Sequence, residues 1–147
     1  MIEHLNTQTV RDVYEAVVRG ELARIFDILD EDVEWEVHAP PQIPFAGMRR
    51  GRNQVVEYFE VVGETTHRDE GVLDPDAFEY IAQGEKVVVI GRDRVRGKAT
   101  GNHAEGWWIH VFTIREGRIV KFRQYFDTAA VQEAFTTGPG GGSGVTE

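Results

Sequence analysis

The chain has 147 residues, of which 41% are hydrophobic and 28% are charged, a composition typical of one ordinary globular domain. Its net charge of −9 disfavours nucleic acid and anionic membranes as partners, because both carry the same sign of charge. The absence of cysteine excludes disulfides and thiolate chemistry, and the lack of a leader-like or membrane-length apolar run leads us to expect a cytoplasmic protein.

The first half of the chain predicts three helices with one strand among them. Apolar side chains recur at helical spacing in residues 7–19, 21–29 and 54–63. Residues 33–38 alternate Val, Trp and Val with Glu, Glu and His, the pattern of a half-buried strand. The proline-containing residues 39–51 are predicted to form a loop over one end of the sheet.

The second half predicts a run of antiparallel strands. Strands are expected at about 76–82 and 86–97, followed by a long β-hairpin at 103–127 and a last helical segment at 129–135. The Gly-rich tail 137–147 is predicted to be disordered. Helices and strands that are segregated in this way indicate an α+β fold, in which a curved sheet forms a cone with an apolar interior and one open end.

Alternation sorts the first arm of the hairpin into two faces. One face carries Trp108, His110, Phe112 and Ile114. His110 is the only titratable group on that face of the arm. The opposite face carries Trp107, Ile109, Val111 and Thr113.

Two stretches, VYEAVVRGELARIFDILDEDVEWE and WIHVFTIREGRIVKFRQYFDTA, together with the order of elements, resemble the nuclear transport factor two-like superfamily and, within it, the SnoaL-like group. The resemblance covers about residues 7–135. It implies one α+β domain over residues 1–136, with a cystatin-like, cone-shaped, curved mixed or antiparallel sheet wrapped around about three N-terminal helices. It also implies a homodimer.

Limonene epoxide hydrolases of this superfamily activate water with an Arg and two Asp, helped by a Tyr and an Asn. The Arg falls on Arg92, and the two Asp fall on Arg94 and Gln124. The Tyr falls on Trp35 and the Asn on Val37. Without a carboxylate to activate water, epoxide hydrolysis by that mechanism is disfavoured.

The mechanisms of ketosteroid isomerases and SnoaL-like cyclases also need a proton-carrying Asp that this sequence lacks. In ketosteroid isomerases the shuttling Asp falls on Val37, and the protonated Asp of the oxyanion hole falls on His110. In SnoaL-like cyclases the His matches His110 and the acid falls on Gln124, an amide that binds but does not transfer protons at neutral pH.

These matches imply which side chains face the cavity: Trp35, Val37, Arg92, Arg94, Trp108, His110, Phe112, Gln124 and Phe126. Tyr14, on the apolar stripe of the first helix, and His38, at the mouth, are added as ligand contacts. Asp127 either caps the last helix or enters the cavity through a β-bulge near Tyr125. Asp93 is predicted to be an outward-facing surface charge.

The expected catalytic residues are His110, Gln124 and Arg92. His110 can act as a base, an acid or a hydrogen-bond donor to a carbonyl, or it is a core histidine satisfied by a neighbour such as Gln124. Gln124 polarises a carbonyl or anchors the histidine. Arg92 and Arg94 bind ligand anionic oxygen, or the outer part of their strand is solvated.

The leading hypothesis is cofactor-free and metal-free proton transfer, such as cyclisation, isomerisation or dehydration, on a small apolar carbonyl-bearing ring compound. A dimeric ligand-binding or interaction module without catalysis is the alternative, and an oxygen-using relative of the SnoaL-like group is a third. The expected homodimer interface is the apolar outer face made by Trp107, Ile109, Val111 and Tyr125.

Overall fold

The computed structural model describes residues 1–68 and 73–136; the predicted disordered tail lies outside the described residues. Its helices are α1 (Ile2–Arg19), α2 (Leu22–Ile28), α3 (Arg52–Thr65) and α4 (Thr128–Thr136). Its strands are β1 (Leu29–Val37), β2 (Gly47–Arg50), β3 (Thr66–His67), β4 (Glu79–Gln83), β5 (Lys86–Gly97), β6 (His103–Arg115) and β7 (Arg118–Phe126). A single 3-10 turn spans Pro75–Ala77.

The strands form one strongly curled mixed sheet, in the order β2-β1-β7-β6-β5-β3, with β4 also paired to β5. The β1–β7 pair is parallel and the other pairs are antiparallel. Side chains from α1, α2 and α3 share one buried core with the inner face of the sheet. The predicted α+β cone is therefore confirmed. None of the helices in the described part of the chain has both the length and the apolar character needed to cross a bilayer.

Several element boundaries differ from the predicted ones; β1, for example, begins at Leu29 and not at residue 33. Helix α1 begins at Ile2 and not at residue 7. Thr7 and Thr9 therefore lie within the helix, where their hydroxyls donate to the carbonyls of Glu3 and Leu5 at 2.8 and 3.1 Å. The loop predicted at 39–51 contains the short strand β2, which pairs with the end of β1.

The inward face of β5 is the opposite of the one predicted. Val87 and Val89 are buried, whereas Arg92 and Arg94 are exposed on the outer face, so their predicted position in the cavity is wrong. The side chain of Asp93, predicted to be a surface charge, faces inward. Four consecutive apolar residues, 87–90, follow Lys86 at the start of this strand. A run without polar residues does not show which positions face inward.

Gly91 makes room for an aromatic side chain at the centre of the sheet. It lies opposite Trp108 in the β5–β6 register. A Cβ atom added at Gly91 would lie 2.4 Å from Cζ2 of Trp108 and 2.9 Å from Cδ1 of Phe78, distances well inside van der Waals contact. The indole therefore lies flat across β5 only because this position has no side chain.

We expect Gly91→Ala to lower the free energy of unfolding by about 1–3 kcal/mol, because the added methyl displaces the Trp108 indole in a packed core. Gly63→Ala is the matched control, since a Cβ there meets nothing within 4 Å. In helix α3 this control should stabilise the protein by about 0.5–1 kcal/mol. Urea denaturation measures both changes, and an unchanged Gly91→Ala midpoint would contradict this packing.

Candidate functional site

Two adjoining cavities occupy the open end of the cone. The inner cavity, of about 100 Å³, is lined mainly by aromatic and aliphatic side chains together with His110, Gln124, Arg68 and Asp93. The outer cavity, of about 80 Å³, lies toward the surface beside α4. Six side chains line both cavities: Tyr58, Val62, Arg68, Asp93, Trp108 and Gln124.

His110 is held by a side chain of the first helix. Its Nδ1 lies 2.7 Å from the hydroxyl oxygen of Tyr14, so the proposed core pairing with Gln124 is replaced by one with Tyr14. Its Nε2 is buried and has no hydrogen-bond partner within the described part of the chain. A buried polar atom in this state indicates a position where a ligand can bond.

Aromatic rings fix the plane of the imidazole. Trp108 stacks on His110 with ring centroids 3.9 Å apart and planes inclined by 19°. Phe122 meets the ring edge-on at 4.9 Å, and the Tyr14 ring lies nearly parallel to it at 16°. The ring therefore has little freedom to rotate, and the direction of Nε2 is set by packing.

Burial, with a smaller effect from the charge of Arg68, lowers the pKa of His110 to about 3, so the imidazole is neutral at pH 7. Burial also raises the pKa of the Tyr14 phenol well above its ordinary value, which keeps its proton in place. A neutral imidazole carries one proton. We assign this proton to Nε2: the phenol then donates to Nδ1, and Nε2–H points into the cavity as a hydrogen-bond donor.

Gln124 supplies a second donor beside His110. The two residues are direct partners in the β6–β7 register. The Tyr58 hydroxyl, whose pKa burial raises to about 12, donates to Gln124 Oε1 at 3.4 Å. This long bond occupies the amide oxygen and orients the amide NH₂. Trp35, whose indole packs against the Tyr58 ring at a centroid distance of 5.7 Å, also lines the inner cavity.

An ion pair lies where the two cavities adjoin. Arg68 Nε is 2.8 and 3.0 Å from the two carboxylate oxygens of Asp93, and Nη2 donates a further bond to Oδ2. Burial alone would lower the pKa of Arg68, but the hydrogen bonds and charge of Asp93 outweigh that effect and raise it. The pair therefore places a fixed carboxylate and a fixed guanidinium against both cavities.

The structure brings most of the residues predicted for the site to these cavities. Tyr14, Trp35, Trp108, His110, Phe112 and Gln124 line the inner cavity, and Trp108, Gln124, Phe126 and Asp127 line the outer one.

Asp127 lies at the start of α4, where its Oδ1 accepts a bond from the Ala130 amide at 3.2 Å. The β6–β7 register is regular from Trp108 to Thr113. The proposed bulge near Tyr125 is therefore not present, and Asp127 reaches the outer cavity from the helix start.

Three predicted site residues lie outside both cavities. Val37 is buried in the core without lining either one. His38 lies on the outer face, with Nε2 3.0 Å from Glu36 Oε1 and its ring stacked on Tyr125. Arg92 lies over the Trp107 ring, also on the outer face, 5.2 Å from its centroid.

Arg94 is a fourth predicted site residue that lies outside both cavities, because the inward and outward faces of β5 are the reverse of those predicted. Its side chain is exposed on the same outer face as Arg92. None of these four residues is therefore a ligand contact in this arrangement.

Sequence reasoning missed Tyr58, Arg68 and Asp93 as cavity residues. Tyr58 follows Val55 by three residues on α3, so helical periodicity contained the signal. Arg68 follows a two-residue strand in a polar stretch without periodicity, and no local pattern could have indicated its position. Within residues 1–68 and 73–136, no three His, Asp or Glu side chains come together as a metal site would require.

Comparisons with known proteins agree with the geometry of the fold. A SnoaL-like domain model matches residues 10–122. A nuclear transport factor two-like protein from Burkholderia xenovorans LB400 is 29% identical, with a TM-score of 0.81 over 90% of this chain and 97% of that one. One of unknown function from Burkholderia pseudomallei K96243 is 30% identical, with a TM-score of 0.74 over 90% and 98%.

A protein provisionally named a polyketide cyclase, from Xanthomonas campestris, has a TM-score of 0.72 at 17% identity, over 89% of this chain and 99% of that one. At this identity the likeness is one of fold alone. No curated protein sequence matches the chain significantly.

The buried neutral histidine makes stability depend on pH. In the unfolded chain His110 has an ordinary pKa of about 6.5. Below that pH the imidazole binds a proton in the unfolded state but not in the folded state. The contribution of His110 to the free energy of unfolding is therefore fully present above about pH 6.5 and is lost progressively as the pH falls toward 3. Relative to His110→Gln, we expect the wild type to lose roughly 2–3 kcal/mol between pH 7 and 4. Urea unfolding at each pH measures this, and parallel curves for the two proteins would contradict a buried neutral imidazole.

Proposed function

The chain belongs to the SnoaL-like domain family, and from that membership we propose that it catalyses cofactor-free proton transfer on a small, flat, apolar compound that carries a carbonyl group. The observation that supports this most directly is the pair of hydrogen-bond donors at the inner cavity, His110 Nε2–H and the Gln124 amide. Removing a proton next to a carbonyl creates an enolate, and these donors are placed to stabilise its oxygen.

His110 acts in this proposal as a donor and not as the proton carrier. With a pKa of about 3, its neutral ring is too weak a base to hold a proton at pH 7. A neutral N–H that is already oriented and desolvated stabilises a developing oxyanion without reorganising in the reaction. This choice among the three roles considered from the sequence rests on the burial of the ring.

The cavity walls indicate the class of compound. Trp35, Trp108, Phe112 and Phe122 line the inner cavity and present flat apolar surfaces against which rings stack. A dry cavity of about 150 Å³ holds a benzene ring, so the inner cavity of about 100 Å³ accepts at most one ring. A compound with two fused rings would extend into the outer cavity.

The test is proton exchange on 2-tetralone, a fused two-ring ketone with acidic hydrogens beside its carbonyl. In D₂O the wild type should exchange these hydrogens faster than buffer alone, and His110→Gln should slow the exchange by about 100-fold, the lower range for loss of one oxyanion donor. His103→Gln is the matched control, because His103 is exposed at the start of β6, and it should retain wild-type exchange. NMR or mass spectrometry follows the deuterium.

Binding without exchange would favour the alternative, a ligand-binding module. The probe is 2-naphthol, a planar analogue of the 2-tetralone enol, titrated against tryptophan fluorescence. Trp35 and Trp108 both line the inner cavity, so a bound ring should quench them. Saturable quenching together with wild-type exchange at the buffer rate would contradict catalysis on this class of compound.

We also propose a homodimer formed through the outer face of the sheet. Trp107 is 61% exposed there, and Ile109 and Tyr125 are also exposed. Apolar side chains grouped in this way on a sheet face are typical of a subunit interface.

Trp107→Glu should weaken that dimer, because it would bury a charge in the interface without a partner. Val18→Glu is the control, since Val18 is an apolar residue of helix α1 that is 54% exposed and lies away from this face. Sedimentation velocity should show a shift toward monomer for Trp107→Glu alone. A wild-type monomer at micromolar concentration would overturn the interface.

A further inference from the structure

Asp93 is the carboxylate best placed to meet a ligand in both cavities. Its side chain points inward from β5 and is only 16% exposed. It lines the inner cavity together with His110 and Gln124, and it lines the outer cavity as well. A ligand with its carbonyl at the two donors and its body extending toward the surface therefore passes beside this carboxylate.

The other carboxylates near the site are less suited to that position. Glu105 and Asp127 line only the outer cavity, and both are exposed. Among the described residues, Asp93 is the one Asp or Glu that lines the inner cavity. The Tyr14 phenol, which also faces that cavity, donates its proton to His110 and is not a base at neutral pH.

We propose, on the basis of the proposed function, that Asp93 is the proton acceptor of the reaction. Its carboxylate takes a proton from the carbon next to the ligand carbonyl. The C–H electron pair moves into the new C=C bond, and the carbonyl electrons move onto the oxygen held by His110 and Gln124. The protonated Asp93 then delivers a proton to a carbon of the same ligand, so the carboxylate is regenerated and no other reactant is needed. In D₂O the carboxyl proton exchanges with solvent before this return, and a deuteron is delivered in its place.

Arg68 is the positioning residue for this carboxylate. Its Nε and Nη2 hold the carboxylate through three hydrogen bonds to the two oxygens, which limits rotation of the carboxylate plane. The backbone amide of Arg94 donates to Oδ1 at 2.8 Å. The guanidinium also lines the inner cavity, where its positive charge favours an enolate. A carboxylate that is already held in its reactive orientation loses less conformational entropy on reaching the transition state.

The first test compares Asp93→Asn with Asp27→Asn, an identical change at an exposed carboxylate of helix α2 that lines neither cavity. We expect Asp93→Asn to slow deuterium exchange on 2-tetralone by at least about 100-fold, the effect of losing a general base. Its affinity for 2-naphthol should change by less than about threefold, because the naphthol oxygen binds at His110. Asp27→Asn should exchange at nearly the wild-type rate.

A second pair of variants separates catalysis from a structural ion pair. Arg68→Met removes the pair and keeps the carboxylate, whereas Arg68→Met/Asp93→Asn removes the pair and the carboxylate together. We expect the single variant to keep exchange within about tenfold of the wild type. The double variant, which leaves no charge of the pair behind, should remain folded and be about 100-fold slower than the single variant.

The outcomes separate this proposal from the proposed function. Wild-type exchange that is lost in His110→Gln but kept in Asp93→Asn would overturn the role of Asp93 and leave the proposed function in place. Equal losses in Arg68→Met and the double variant, with circular dichroism showing both to be folded, would also overturn it, since the pair would then act only by holding the structure. No exchange by the wild type would contradict the proposed function itself.

Discussion

The hydrogen bond between the Tyr14 hydroxyl and His110 Nδ1 is the contact on which the rest of the site depends. It joins residues 96 positions apart in the chain and links the first helix to a central strand of the sheet. Because Tyr14 is buried and the His110 ring is packed among aromatic rings, losing one group would leave the other without its hydrogen-bond partner. The bond also determines which ring nitrogen of His110 faces the cavity.

Several features of the fold support this bond. Gly91 gives the Trp108 indole room to lie across β5, and the indole in turn stacks on His110. The β6–β7 register brings Gln124 beside His110, while Tyr58 from α3 bonds the Gln124 amide oxygen. The resulting site has donors at the inner cavity and an ion pair that lines both cavities. In the function proposed above, oxyanion stabilisation and proton transfer fall to different residues.

Much of this arrangement could be predicted from the sequence. Alternation along β6 placed Trp108, His110 and Phe112 on one face, because that signal is local. The resemblance to the SnoaL-like group implied that this face and Gln124 point into the cavity. The inward face of β5 could not be predicted, since the four residues after Lys86, which alternate between the inner and outer faces, are all apolar. The partner of His110 and the position of Arg68 depend on how distant elements pack, so no sequence spacing contained them.

The measurement that tests this account most directly is the protonation state and tautomer of His110, observed by ¹⁵N NMR of the imidazole in the intact protein between pH 5 and 8. The account predicts a neutral ring throughout, with the proton on Nε2 and Nδ1 accepting from Tyr14; Tyr14→Phe should remove that acceptor bond and shift the Nδ1 resonance. A ring that titrates near pH 6.5, or one whose proton lies on Nδ1, would contradict the central claim that this histidine is a fixed neutral donor.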